Sequence, residues 1–359
     1  MAMEHQLFKK LSGQLNNKLP FVSYRKPKEK AINLLTQNDD NLHFVCDYEE
    51  SGFVFAPFDQ KKPAVIIPFD PVFFSVYKDV QVSLLVPQPK KDAVLETSKK
   101  SHIDLVSKGI DRIDAGLLTK VVLSRKLEIE INGMDAVQLF QNLLASYPNA
   151  FCYIWYHPKV GLWLGATPET LLNIKGSRLS TMALAGTQSY KGTLDVDWGA
   201  KEIEEQQLVT DFVVRGLKSA ISSQKGVTVS RPMTVRAGSL LHLQTMINAD
   251  LQVGNGVIAK LLVEIHPTPA VCGFPKNEAR QFIVENEGYD REYYTGFLGE
   301  LSLNSASQSS LFVNLRCMQL KDGKAIIYIG GGITKDSIPS KEWRETVSKA
   351  GTMLKVLFK

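Results

Sequence analysis

The sequence predicts an α+β fold, and three observations carry that prediction. Strand-like segments come in consecutive groups rather than in strict alternation with helices, which argues against a doubly wound parallel sheet. One long amphipathic helical pattern and several shorter ones separate those groups. With 359 residues and 44% hydrophobic content, the chain can bury one large or two ordinary cores without covalent staples.

Short β-like runs open the chain: FVCDY, SGFVFAPF and PAVIIPF alternate with turn residues up to the polar, proline-containing stretch Pro87 to Lys91. That stretch marks a boundary between residues 1–91, expected to complete the first sheet, and a core at 92–359. From Asp92 to about Leu118, Leu95, Ile103, Val106, Ile110 and Ile113 fall at helical spacing, and KVVLSRKLEIEI from Lys120 reads as a strand. A helix around Asp135 to Ser146 precedes two strands, FCYIWYH and GLWLGAT. Asp197 to Ser222 forms the long helix, with Ile203, Leu208, Phe212, Val213 and Leu217 as its apolar members. Strands and turns fill Gly226 to Val253, and helical patterns cover Gly256 to Glu264 and Asn277 to Asn286. The chain closes with a strand, SSLFVNLRCMQL, a second strand, KAIIYIGGG, and a helix from about Ser340.

Charge and cysteine usage narrow the function classes. Lys and Arg number 42 against 37 Asp and Glu, a net charge of +5, and the basic residues are interleaved with acids rather than gathered into a nucleic-acid-binding arm. Cys46, Cys152, Cys272 and Cys317 form no CxxC pair and no zinc-ligand spacing, as in reduced core thiols. No uncharged run reaches the roughly 18 residues of a membrane span, and MAMEHQLFKKLSGQL carries charges throughout. A cytoplasmic protein with no nucleic-acid or membrane partner is the expectation.

Several clusters can carry chemistry. Glu202 and Glu205 lie three apart on one helix face, and Glu342, Glu345 and Lys349 share a face of the terminal helix. Two such helices could meet around a hard divalent cation, which prefers oxygen ligands; either alone is also what a solvated helix face shows. Lys120 opens an apolar strand and Glu169 sits in GATPE after another. In a low-dielectric pocket such a lysine can act as a base and such a carboxyl as an acid, whereas a strand-edge charge is the plainer alternative. His266, in HPTPA, suits either a structural hydrogen bond or a ligand contact. Arg316 interrupts an apolar strand, so its guanidinium calls for an anionic partner. The glycines Gly330 to Gly332 follow a strand and suit a tight turn or close approach of backbone to an anion. No P-loop or dinucleotide-binding spacing occurs.

Nine ordered strings resemble the chorismate-utilising enzyme family: TKVVLSRK, LGATPETLL, ALAGT, KEIEEQQLV, HLQT, HPTPAVCGFP, YYTGFLG, NLRCMQL and GGGITKDSIPSKEWRETVSKA. The resemblance implies two interlocked subdomains, each a largely antiparallel sheet with flanking helices, around a deep Mg2+-dependent site in a monomer. It implies Lys120 as the base that activates water and Glu169 as the acid. Glu205 and Glu345 match the metal ligands, with Glu202 and Glu342 close by. Gly186, Thr187, His266, Ala270, Tyr294, Arg316, Gly330, Gly332 and Lys349 match the substrate cradle. Within the family, HPTPAVCG with Ala270 resembles isochorismate synthases, where ammonia-using members carry threonine. The implied reaction is therefore conversion of chorismate to isochorismate, a precursor of menaquinone and of catechol siderophores, with a salicylate synthase as the nearest rival. Gln206 departs from the pattern, standing where many relatives have histidine.

Overall fold

Strands such as FCYIWYH and GFVFA are apolar at almost every position, which suits a strand covered on both faces. The computed structural model describes residues 2–358 except 79, 81, 83–97, 132, 222–225, 239, 252–255 and 304–307, with backbone alone for 2–5. The expected boundary at Pro87 to Lys91 and the helical position Leu95 lie outside the described residues.

In chain order the elements are α1 (Ala2–Asn16), β1 (Phe21–Arg25), β2 (Ile32–Thr36), β3 (His43–Phe44), β4 (Gly52–Ala56), β5 (Val65–Pro68) and β6 (Phe74–Tyr77). Then come α2 (Lys99–Asp114), β7 (Lys120–Glu130), α3 (Ala136–Ser146), β8 (Phe151–His157), β9 (Gly161–Thr167), β10 (Thr170–Lys175) and β11 (Arg178–Ser189). Next are α4 (Ala200–Ala220), β12 (Thr228–Val229), β13 (Met233–Ala237), β14 (Leu240–Asp250), α5 (Val257–Ile265), β15 (Gly273–Phe274) and α6 (Lys276–Asn286). The last are β16 (Phe297–Leu301), β17 (Gln308–Val313), β18 (Cys317–Lys321), β19 (Lys324–Ile333) and α7 (Pro339–Leu357).

They form two sheets whose described pairings are all antiparallel. The nine-stranded sheet runs β15-β7-β19-β18-β9-β8-β1-β2-β6, and the ten-stranded sheet runs β12-β14-β11-β10-β17-β16-β4-β5-β3, with β13 beside β14. The fold is α+β, as the grouping of strands implied. Residues 21–77 extend both sheets, where one was expected: β1, β2 and β6 join the first, and β3, β4 and β5 join the second. The reason is local pairing, since β1 docks on β8 while β4 docks on β16. SSLFVNLRCMQL also divides. Its first half is β17 in the ten-stranded sheet and its second half is β18 in the nine-stranded one, with the chain turning at Arg316, φ 48°.

Side-chain alternation builds the layers. Phe151, Tyr153 and Trp155 of β8 point into an aromatic layer between the sheets, while Cys152 and Ile154 point to the opposite face, under α1, α3 and α7. On the outer face of the second sheet, α4 and α5 bury Val209, Val213, Leu217 and Leu261. The buried stripe of α4 passes through Gln206, Val209, Thr210, Val213 and Leu217, whereas Ile203, expected inside, is 53% exposed. The terminal helix opens with Pro339, whose missing N–H is no loss in a first helical turn.

The aromatic layer joins the sheets face to face. Phe151 of one stacks on Phe312 of the other with ring centroids 4.1 Å apart, and Tyr24 donates to Glu300 Oε1 at 2.6 Å across the same gap. Such ring pairs add to the area they bury. Phe151→Ala should therefore cost about 3–5 kcal/mol, the range for emptying an aromatic site in a core; chemical unfolding checks it, and an unchanged midpoint would refute the role of this layer as the joint.

Candidate active site

Between the sheets' ends lies a cavity of about 100 Å³, walled by β11, β14, β19, α4, α7 and the segments that carry Glu169, Ala270, Tyr294 and Arg316. Lys120 stands at the start of β7, and it is not an edge charge. The two-residue strand β15 covers that side, pairing Phe274 with Lys120, and the lysine is 1% exposed. A buried ammonium needs a partner. Its Nζ donates to Glu205 Oε1 at 2.7 Å, which ties β7 of the first sheet to α4 of the second half.

The glycines Gly330 to Gly332 lie inside β19, paired with Ser124, Leu123 and Val122, and not in a turn. They are small because side chains crowd that strand from above. A Cβ on Gly330 would fall 2.7 Å from Tyr294 Oη, and one on Gly332 would fall 2.7 Å from Glu205 Oε1 and 3.0 Å from Lys120 Cε. No side chain at Gly332 stands between Lys120 and the cavity.

Burial sets the charges. The Glu169 carboxyl is pushed up to about 8 by burial, with Lys120 pulling the other way, so it holds its proton at neutral pH. Glu205 meets the same penalty, but Lys120, Lys349 and Lys201 outweigh it and hold its carboxyl below the ordinary value. Glu342 is raised by burial and by its neighbour Glu345, with Lys201 opposing. Arg316 lines the cavity with its guanidinium depressed by burial; its contacts are Thr352 Oγ1 at 3.3 Å and His242 Nε2 at 3.5 Å. Among the described residues no carboxylate lies within 4.0 Å of it, which leaves it free to meet an anionic ligand.

Most of the residues singled out in the sequence come together here: Glu169, Gly186, Thr187, Glu202, Glu205, Ala270, Tyr294, Arg316, Gly330, Gly332, Glu345 and Lys349 all line the cavity. Lys120 and Glu342 stand just behind, held by Glu205 and by Lys201 at 3.0 Å. His266 does not line it: its ring meets Phe297 edge-on at 5.1 Å, and burial lowers it to about 3.

A different histidine fills the wall. His242 of β14 has Nδ1 2.9 Å from the Gly186 carbonyl, which can only accept, so the proton sits on Nδ1 and Nε2 faces Arg316. Burial lowers this imidazole to about 3, keeping it neutral. Its partner Gly186 lies in a β-bulge where the β11–β14 register shifts, at φ 68°, and a Cβ there would press on Glu202 Cβ at 3.2 Å. Gln206 fastens the same strand to α4: its Oε1 accepts from Ala185 N at 2.8 Å and its Nε2 donates to Ala183 O at 3.0 Å. Arg291, paired with Glu287, donates to Val122 O at 2.7 Å and Val271 O at 3.0 Å, joining the Ala270 segment to β7. The strings HLQT and KEIEEQQLV were the signals in the sequence for His242 and for Lys201 and Gln206; Arg291 had none.

The donor set fits a hard cation. Glu202 and Glu205 on α4 face Glu345 on α7 across the cavity, all of them oxygen donors. Buried Glu342 keeps an Oε2 with no hydrogen-bond partner, 3.8 Å from where a Cβ on Gly331 would sit, with Glu345 Oε1 3.7 Å from the same point. Here Lys120, Lys201 and Lys349 hold three of these carboxylates, and no three such side chains among the described residues are gathered as a ready-made cluster.

This architecture and site define a class: the chain belongs to the family of chorismate binding enzymes, whose profile matches residues 78–358. It is 34% identical over 246 residues to isochorismate synthase EntC of Escherichia coli, covering 66% of this chain and 62% of that protein. Over 268 residues it is 27% identical to isochorismate synthase DhbC of Bacillus subtilis, covering 70% of this chain and 66% of that one. The matched region thus spans a little under two thirds of those relatives. The fold matches a solved structure from Bacillus anthracis assigned as a 2,3-dihydroxybenzoate-specific isochorismate synthase, with a TM-score of 0.80 at 24% identity over 98% of this chain and 99% of that one.

The glycine floor gives a test of the site. Gly332→Ala should abolish ligand binding or turnover and lower the thermal midpoint as well, because the added methyl meets Glu205 and Lys120, the buried pair that ties the two halves together. Full activity in that variant would show that the strand is not the cavity floor.

Proposed function

We propose that this protein is an isochorismate synthase, an isomerase that moves a hydroxyl from C4 to C2 of chorismate, reversibly. The observation that carries the reading is the pairing, in one enclosed cavity, of a carboxyl kept protonated, Glu169 at about 8, with a lysine, Lys120, brought up behind the glycine floor. That is how acid and base chemistry can run at one pH. Water gives a proton to Lys120 Nζ as Lys120 passes one along its 2.7 Å hydrogen bond to the Glu205 carboxylate, and the water oxygen bonds to C2. The ring double bonds shift, the C4–O bond breaks, and Glu169 delivers its proton to the departing hydroxyl, so one water enters and one leaves.

Chorismate is a dianion at neutral pH, and burying two carboxylates requires matched positive charge. Arg316 offers a forked pair of N–H donors to the enolpyruvyl carboxylate, with neutral His242 bracing the guanidinium. Glu205 and Glu345, with Glu202 and Glu342 beside them, would hold Mg2+, which when bound supplies positive charge for the ring carboxylate. Lys349 fixes the floor by donating to Gly330 O at 3.0 Å.

Product analysis decides the reading. Chorismate with Mg2+ should yield isochorismate, and a chelator should stop it. Salicylate with stoichiometric pyruvate would overturn this in favour of a salicylate synthase, an aminated product given ammonium salts would favour an ammonia-using synthase, and binding without product would make the protein non-catalytic.

The acid role has its own pH signature. Between an ordinary carboxyl value near 4.5 and about 8, native Glu169 holds a proton that the unfolded chain has released, so its contribution to stability falls as pH rises through that window. Turnover in the forward direction should fall as pH passes about 8 for the same reason. In Glu169→Gln, turnover should drop on the order of 10²–10⁴-fold and the difference in thermal midpoint from the unaltered protein should grow in the variant's favour from pH 5 to pH 9; parallel midpoints would refute the raised carboxyl.

A further inference from the structure

No residue that lines the central cavity is fully exposed; each is buried or half-buried. Two neighbouring cavities do reach solvent. One, of about 310 Å³, shares Pro168 and Arg316 with the central cavity and runs out past Ala166 and Thr352 to exposed Pro148, Asn149, Arg236 and Gly238. The other, of about 390 Å³, shares Lys201 and Glu205 and opens at Thr119, Glu204, Lys335 and Asp336.

Their charges differ in a way that matters for an anion. The wall of the second of these carries three carboxylates, Glu204, Glu205 and Asp336, against three lysines, Lys120, Lys201 and Lys335, so its charges balance, and its inner end is closed by the Lys120–Glu205 pair at 2.7 Å. The first has no carboxylate in its wall and a guanidinium at each end, Arg316 inside and Arg236 outside. Arg236 is held in place there, its guanidinium carbon 3.8 Å above the Tyr190 ring and its Nε donating to Gly238 O at 2.8 Å. Among the described residues it has no carboxylate within 4.0 Å. A low-dielectric passage lined by one sign of charge concentrates the opposite ion and raises its rate of arrival.

We propose that the anionic substrate reaches the central cavity through this Arg236-rimmed vestibule and passes Arg316 on its way in. The inference deepens the reading of the substrate as a small dianion and rests on it. Arg236 is a capture residue at the mouth, remote from the reacting atoms, and its effect belongs to the rate of association.

Stopped-flow fluorescence of chorismate binding, in a Glu169→Gln background that binds without rapid turnover, tests the route. Arg236→Gln should lower the association rate constant by roughly 3–10-fold at low salt, with the deficit closing at high salt as charge is screened, and Arg236→Lys should recover most of it. Asn149→Phe, which narrows the mouth, should slow association and dissociation by the same factor and leave the equilibrium constant unchanged, because a constriction alters the barrier and not the end states. Lys335→Phe, at the other opening, should leave both rates alone. Unaltered rates in Arg236→Gln and Asn149→Phe, or slowing confined to Lys335→Phe, would overturn the route. Protein that binds chorismate yet forms no isochorismate would overturn the activity and leave these rates to judge the vestibule; protein that does not bind it would overturn both.

Discussion

The buried ion pair between Lys120 and Glu205 is the constraint on which the rest of the structure depends. A lysine 1% exposed within the first sheet cannot keep its charge there without a carboxylate, and the one it meets, Glu205, stands on α4, which packs on the second sheet. Losing one partner of such a pair costs about 3–5 kcal/mol through the orphaned charge that remains. The two halves are therefore pinned at one point, and a second pair, Lys201 to Glu342, pins α4 to α7 close by. The cavity is the space these pins leave between the halves, which is why its charged lining and its scaffold are largely the same residues.

Electrostatics then divides the labour among carboxylates that the sequence alone presents as equals. Burial penalises the charge of Glu169 and of half-buried Glu205 alike, yet one stays protonated and the other ionised, because only Glu205 receives a lysine at hydrogen-bond distance. Among the described residues Arg316 has no carboxylate within 4.0 Å, so it carries a positive charge that a bound anion can answer. Neutral His242 between Gly186 and Arg316 is the kind of support that fixes a guanidinium without neutralising it.

Much of this was legible in the sequence. The helical stripes of α3, α5, α6 and α7, and the two-sided apolar strands β8 and β9, announce themselves by period, and the charged pairs at 202 and 205 or 342 and 345 follow from helical geometry. What escaped depends on contacts distant in the chain. Lys120 reads as an edge residue because its cover is Gly273-Phe274, a strand too short to have a pattern. The break at Arg316 is a single left-handed residue inside an apolar run. His266 and His242 cannot be told apart until β11 and β14 are paired, since only then does the Gly186 carbonyl meet one of them. Gln206 shows its part only as a clamp on Ala183 and Ala185.

The way the chain weaves between sheets has a consequence for how it is made. The last strand, β19, lies in the interior of the first sheet between β7 and β18, and β16 and β17 fill the middle of the second, between β4 and β10. Neither sheet can close until residues beyond 300 have left the ribosome, so one edge each of β7 and β4 waits for β19 and β16 through most of synthesis. Native pairing is dominated by contacts far apart in sequence, which slows folding and prolongs the exposure of sheet edges. The topology that creates the cavity thus leaves the completion of both sheets to the last elements of the chain.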